Sequence, residues 1–139
     1  MSKVALIIGA GPRLGRSVAD SFKSAGYAVA LAARSLTASS PNDKELHIQA
    51  DITDSSAVSH IFSTTADNLG VPSVVIYNAA IFHSDGDDPI LGFTAEKLKE
   101  SLSINTIPAI LSMAEAIKGF RTLGEEASKT FMYALAPSA

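Results

Sequence analysis

The chain has 139 residues, 47% hydrophobic and 18% charged, with a formal net charge of −3 and a mean hydropathy of +0.23. Those values exclude a disordered chain and leave no electrostatic footprint for DNA or RNA. The absence of cysteine excludes disulfide scaffolds, thiol catalysis and cysteine–zinc sites. One domain, residues 1–139, is expected at this length. No apolar stretch approaches the roughly 18 residues that span a bilayer. Lys3 is followed only by a short apolar run and a glycine turn, not by a leader sequence. A soluble, cytoplasmic protein without a membrane partner is expected.

Val4 to Ile8 is an apolar run ending in glycine, the pattern of a strand buried on both faces. Leu14, Val18, Phe22 and Ala25 then recur at helical spacing and Gly26 closes the helix. Tyr27 to Ala32 is a second buried strand, residues 35–44 a polar loop, and Leu46 to Ala50 an alternating third strand. Thr53 or Asp54 is the expected N-cap of a helix that carries Val58, Ile61, Phe62, Thr65 and Leu69 on one face. Ser73 to Tyr77 is a fourth apolar strand, and residues 82–93 are a polar loop. Thr94 caps a long helical pattern with Leu98, Leu102, Ile110, Leu111, Met113 and Ile117, in which Pro108 predicts a kink or break. Thr130 to Ala136 is a fifth apolar run. Strands that alternate with helices and read as unbroken apolar runs imply α/β class, with a parallel sheet covered on both faces.

Gly9-Ala10-Gly11-Pro12-Arg13-Leu14-Gly15 lies between the first strand and the first helix. A first glycine permits a tight turn, small neighbours let the backbone approach a pyrophosphate, and a third glycine lets the helix pack closely. The helix N-terminus then offers N–H groups and partial positive charge to phosphates. The strand–turn–helix context makes this a dinucleotide-phosphate turn rather than an ordinary glycine turn. An NAD site usually places a carboxylate about 20 residues further on, at the end of the second strand. Here that place reads Ala32-Ala33-Arg34-Ser35. Arg34 can pair with a 2′-phosphate and stack on adenine, and Ser35 can add a hydrogen bond, which favours NADP over NAD.

Other chemistry finds less support. Asp85, Asp87 and Glu96 imitate a calcium loop, but Pro89 and Ile90 stand at its fifth and sixth places. His47, His60 and His83 lack paired metal-ligand spacing, so no metal is expected; His60 is read as a helix-surface residue. Neither a Gly-x-Ser-x-Gly elbow nor a Gly-Lys-Ser/Thr loop occurs.

The glycine turn and the segments after it resemble the short-chain dehydrogenase/reductase family. Gly9, Leu14 and Gly15 match that family's turn, while Arg13 replaces its fifth-position glycine and brings the backbone geometry there into question. Asp51 and Ile52 match the Asp–aliphatic pair that contacts the adenine amine and ring face. Asp51 or Thr53 is equally readable as a helix cap. Asn78-Ala79-Ala80-Ile81 resembles the Asn-Asn-Ala-Gly element, with Ile81 in place of glycine; Asn78 reads as a sheet-holding residue. Asn105 resembles the helix asparagine that helps organise a water relay to the active-site lysine; the alternative is a polar residue filling a helix kink.

The resemblance implies a Rossmann-like doubly wound sheet of about five strands in order 3-2-1-4-5, C-terminally incomplete. It implies hydride transfer between NADP(H) and a small carbonyl or alcohol, with Gly9, Gly11, Arg13, Leu14, Gly15, Arg34, Ser35, Asp51, Ile52, Asn78, Ala79 and Ala80 at the coenzyme and Asn105 as the catalytic-type residue. The family's catalytic tyrosine is followed four residues on by lysine. Here the three tyrosines, Tyr27, Tyr77 and Tyr133, are followed at that spacing by Leu31, Ile81 and Pro137. Ser138 lies near the place of the family's catalytic serine. The chain therefore reads as a coenzyme half without the active-site pair, and the alternative is a non-catalytic dinucleotide-binding or interaction module. Family members often form homo-oligomers through the long helices; here the apolar residues of the long helix face either such a partner or the sheet, and the sheet is the expectation.

Overall fold

The computed structural model describes residues 3–42, 44–84, 90 and 92–134. The calcium-like Asp85–Asp88 segment and Ser138 lie outside the described residues. Five strands, β1 (Val4–Ile8), β2 (Ala28–Ala33), β3 (Glu45–Gln49), β4 (Val74–Tyr77) and β5 (Thr130–Tyr133), form one sheet. Its order is β3-β2-β1-β4-β5 and every pairing is parallel, as the resemblance implied.

Central β1 is buried at all five residues because the sheet is covered on both sides. Ala5 and Ile7 join Val29, Leu31, Val74 and Ile76 beneath α1 (Leu14–Ser24), with Ala19, Val18 and Phe22 packed on them. Leu6 and Ile8 join Ala30, Ala32, Val75 and Tyr77 on the other side, under α2 (Ala57–Leu69) and α4 (Ile107–Phe120). Successive side chains leave a strand on opposite faces, so a strand covered twice is apolar throughout. Edge strand β3 is covered once on its inner face and alternates, with Leu46 and Ile48 inward.

The exposed edge of β3 is blunted by the preceding loop. Ser39 N donates to His47 O at 3.2 Å, His47 N donates to Ser39 Oγ at 3.3 Å, and Asn42 bridges Glu45. Glu45 also receives a two-pronged hydrogen bond from Arg16 of α1, 2.7 Å to each carboxylate oxygen, and one from Lys23 at 3.2 Å. This charge cluster fastens the polar side of α1 to the sheet edge.

Two local expectations are corrected, and a third is resolved. α2 begins at Ala57, not after Thr53 or Asp54; Asp51 first folds an Asx turn onto Thr53, and Ser56 occupies the cap position without a side-chain cap bond. Of the kink or break expected at Pro108, the structure shows a break in the long helix. It runs as α3 (Ala95–Ser101), a π-helical segment (Leu102–Thr106) and α4, with proline in the first turn of α4, where a missing N–H is harmless. The large apolar residues of that helix do not face the sheet. Pro108, Ala109, Ser112 and Ala116 face inward, whereas Ile110, Met113 and Ile117 are 56%, 41% and 43% exposed. Small residues let the helix lie close to β4, and the bulky ones are turned outward. Among the described residues no helix is long and apolar enough to cross a membrane.

Candidate functional site

The carboxyl ends of β1, β2, β3 and β4 meet at one rim, and the expected site residues other than Asn105 sit there or on the turns that leave it. Gly9 has φ +83°, a conformation open to glycine, and a Cβ on it would lie 2.3 Å from Ala79 N. Gly9 N and Ala10 N both donate to Ala32 O, at 2.8 and 3.2 Å, which bends the chain sharply off β1. A Cβ on Gly15 would lie 2.6 Å from Ala10 Cα, so this glycine lets α1 start against the turn. A Cβ on Gly11 would meet nothing within 4 Å. Packing inside the chain does not require that glycine; the space beside it is open to a ligand.

Arg13 adopts φ −94°, ψ −71°, an ordinary right-handed conformation. The expected difficulty with positive φ at this position is therefore absent, because the turn has already reversed at Gly9. Gly15 N and Ser17 N find acceptors in Gly11 O and Arg13 O, but the amides of Arg13 and Leu14 have no partner among the described residues. Leu14 itself is 44% exposed. Unfilled amides at a helix N-terminus beside an open glycine form a fitting seat for phosphate oxygens.

Asn78 ties this turn to β4. Its backbone N donates to Ile8 O at 2.7 Å and its Nδ2 to Gly9 O at 3.3 Å. Its Oδ1 is buried without a partner among the described residues. Half-buried Ala79 packs against Gly9, with half-buried Ala80 next to it. Ile81, in the family's glycine position, is held through both backbone groups by the Asn105 side chain: its N donates to Oδ1 at 2.8 Å and its O accepts from Nδ2 at 2.9 Å.

Asn105 lies in the π-helical segment, whose carbonyls are used by tyrosines that the sequence did not flag. Pro108 cannot offer an N–H to Ile104 O four residues back. That carbonyl instead accepts from the Tyr77 hydroxyl, and Asn105 O accepts from the Tyr133 hydroxyl at 2.7 Å. The rings stand 5.8 Å apart. Burial, helped by neighbouring Tyr133, pushes the Tyr77 phenol well above its ordinary range, so it remains a neutral donor.

At the other end of the rim, Arg34 and Ser35 leave β2 exposed to solvent. A cleft of about 440 Å3 is lined by Arg34, Gln49, Asp51, Asp54, Ser56 and His60 among others. Gln49 Nε2 donates to Arg34 O at 3.3 Å. Asp51 Oδ1 accepts from Thr53 Oγ1 at 2.7 Å and Thr53 N at 3.0 Å. These bonds, with the positive charge of Arg34, hold the Asp51 carboxyl below its usual range. Ile52 is half-buried and packs on the core. Gln49, Asp54, Ser56 and His60 were not expected here; only the return of α2 over the end of β3 brings them together.

Residues 3–129 match the family described as short chain dehydrogenase. A short chain dehydrogenase/reductase of Cryptosporiopsis sp. (strain 8999) is 33% identical over 143 residues, covering 95% of this chain and 58% of that protein. L-2,3-butanediol dehydrogenase of Corynebacterium glutamicum is 27% identical, covering 89% and 51%. The chain thus spans little more than half the length of these curated relatives. Among solved structures, 3-ketoacyl-(acyl-carrier-protein) reductase from Brucella melitensis complexed with NADH superposes with a TM-score of 0.79 at 22% identity, over 94% of this chain and 56% of that one. ElxO with NADP bound gives 0.79 at 23% identity, over 96% and 55%. Likeness at that identity establishes the fold.

Proposed function

The chain belongs to the short-chain dehydrogenase family, and from that premise we propose that it is the coenzyme-binding part of an NADP(H)-preferring oxidoreductase acting on a small carbonyl or alcohol. The observation that carries this reading is the open seat at the start of α1: unpartnered Arg13 and Leu14 amides beside the space at Gly11. The unpartnered Asn78 Oδ1 on the same rim also fits a bound polar group. Bound here, a nicotinamide dinucleotide supplies or accepts hydride.

In this reading Gly9, Gly11, Arg13, Leu14 and Gly15 receive the pyrophosphate. Arg34 and Ser35 take the 2′-phosphate, Asp51 and Ile52 the adenine, and Asn78, Ala79 and Ala80 the nicotinamide-side ribose. Arg34 ends β2 with no carboxylate adjacent in sequence, which supports NADP over NAD. Titration of the purified chain with NADPH and NADH tests this, with tighter NADPH binding expected.

A second reading is a binding module without turnover. The Tyr77 and Tyr133 hydroxyls are both spent on backbone carbonyls, and no tyrosine is followed four residues on by lysine. NADPH binding without oxidation over a panel of carbonyls supports the module; turnover by the purified chain excludes it. The outward Ile110, Met113 and Ile117 support a homo-oligomer through α4.

A further inference from the structure

We infer that Tyr133 is a positioning residue for the nicotinamide half of the coenzyme seat, acting through Asn105 on the backbone of Ile81. The inference rests on the dinucleotide reading above and adds to it a residue on the edge strand. Tyr133 stands opposite Tyr77 in the parallel register of β4 and β5, and Ala134 N donates to Tyr77 O at 2.9 Å, which holds that register to the end of β5. Residues paired in register leave a sheet on the same face, and the two rings lie 5.8 Å apart at an interplanar angle of 31°. Both hydroxyls therefore reach the same π-helical segment. That segment closes with Ile107 N donating to Leu102 O, five residues back. Its consecutive carbonyls, Ile104 O and Asn105 O, accept one phenol each, from Tyr77 and Tyr133. A π-helical turn is a poor element by itself and often marks a functional position; here two strands fasten it to the sheet.

The two tyrosines do different work. Tyr77 is fully buried, so its hydroxyl bond belongs to the core. Tyr133 is 43% exposed and its hydroxyl binds the peptide of Asn105 itself. Water can replace an exposed hydrogen bond when it breaks, so this one contributes little to global stability. What it fixes is the angle at which Asn105 leaves the turn. The Asn105 side chain must present Oδ1 to Ile81 N and Nδ2 to Ile81 O together, at 2.8 and 2.9 Å, and a small rotation of the turn breaks both bonds. Ile81 directly follows Ala80, one of the residues that take the nicotinamide-side ribose in the proposed reading. Tyr133 thus supports one half of the seat from behind, as a second layer of hydrogen bonds supports a binding constellation. The Arg34 and Asp51 end lies on β2 and β3, on the far side of β1, and takes no part in this chain of contacts.

The experiment is calorimetric titration of the full chain with NADPH and with adenosine 2′,5′-bisphosphate, which carries only the adenine-side half. Tyr133→Phe keeps the ring and removes the hydroxyl. It is expected to weaken NADPH by about three- to tenfold, the effect of one hydrogen bond, and to leave the bisphosphate unchanged. The Ile81 amide is expected to exchange with solvent about tenfold faster in the variant, read by NMR on the 15N-labelled chain. Asn105→Ala is expected to lose at least as much NADPH affinity, and Tyr133→Phe added to it is expected to lose no more, because both act through one clamp. A Tyr133→Phe chain with the wild-type ratio of the two affinities overturns the inference while the dinucleotide reading stands. Equal weakening of both ligands, or losses that add in the double variant, overturns it as well, since either result makes the hydroxyl a general support. A wild-type chain that binds neither ligand overturns the dinucleotide reading, and the role of Tyr133 with it.

Discussion

Gly9 and Ala79 approach so closely that a methyl group on the glycine would sit 2.3 Å from the alanine backbone nitrogen. The glycine turn and the segment after β4 are thereby locked together, with the Asn78 side chain as a second tie. Gly9→Ala must relieve both this overlap and a positive φ, and is expected to cost about 3 kcal/mol. Gly11→Ala meets nothing and is expected to change stability by less than about 0.5 kcal/mol, while weakening coenzyme binding. Urea unfolding of the two variants, beside an NADPH titration of Gly11→Ala, separates the structural glycine from the ligand-facing one.

Arg34→Glu replaces the cation at the end of β2. The loss of a charged hydrogen bond is worth about 1.5–3 kcal/mol, or about 10- to 150-fold in NADP affinity. NAD affinity is expected to change far less. Equal affinities for the two coenzymes before and after the change would contradict the assignment.

The Arg16–Glu45 pair sets an acid limit on stability. Arg16's paired hydrogen bonds, then those of His47 and Lys23, hold the Glu45 carboxyl well below the usual carboxylate range. A folded-state value below the unfolded one of about 4.3 contributes stability above that pH. The contribution is lost as pH falls from there toward the folded value. Glu45→Gln is expected to lower stability at pH 7 by about 2 kcal/mol and to flatten the fall below pH 5. Denaturant melts across that range check both parts.

Ser112 is fully buried on the inner face of α4, and its hydroxyl has no partner among the described residues. Ser112→Ala removes an unsatisfied group and improves helix propensity, so stability is expected to rise by about 1 kcal/mol. A fall in Tm would show that the hydroxyl is bonded in solution.

Much of the fold was legible because β1, β2 and β4 are covered on both faces, which forces unbroken apolar runs that few other contexts produce. α2 was legible too: Val58, Ile61, Phe62 and Thr65 form the buried face that their spacing predicts. α4 was not, since periodicity reveals a stripe but not which stripe meets the sheet. There the close approach of Ala109, Ser112 and Ala116 outweighed the bulk of Ile110 and Met113. The residues expected at the glycine turn adjoin one another along the chain, so a linear pattern could reveal them. His60 and Gln49 enter the cleft from separate elements, and Tyr133 reaches Asn105 across 28 residues, relationships that only the folded chain creates.

The central claim is that the start of α1 seats the phosphates of a dinucleotide. Amide chemical shifts of the 15N-labelled chain, followed as NADP is added, test it most directly. The account predicts saturable shifts largest at Gly11, Arg13 and Leu14, with the Asn78 side-chain amide moving in step. Those amides staying in place at millimolar NADP would contradict it.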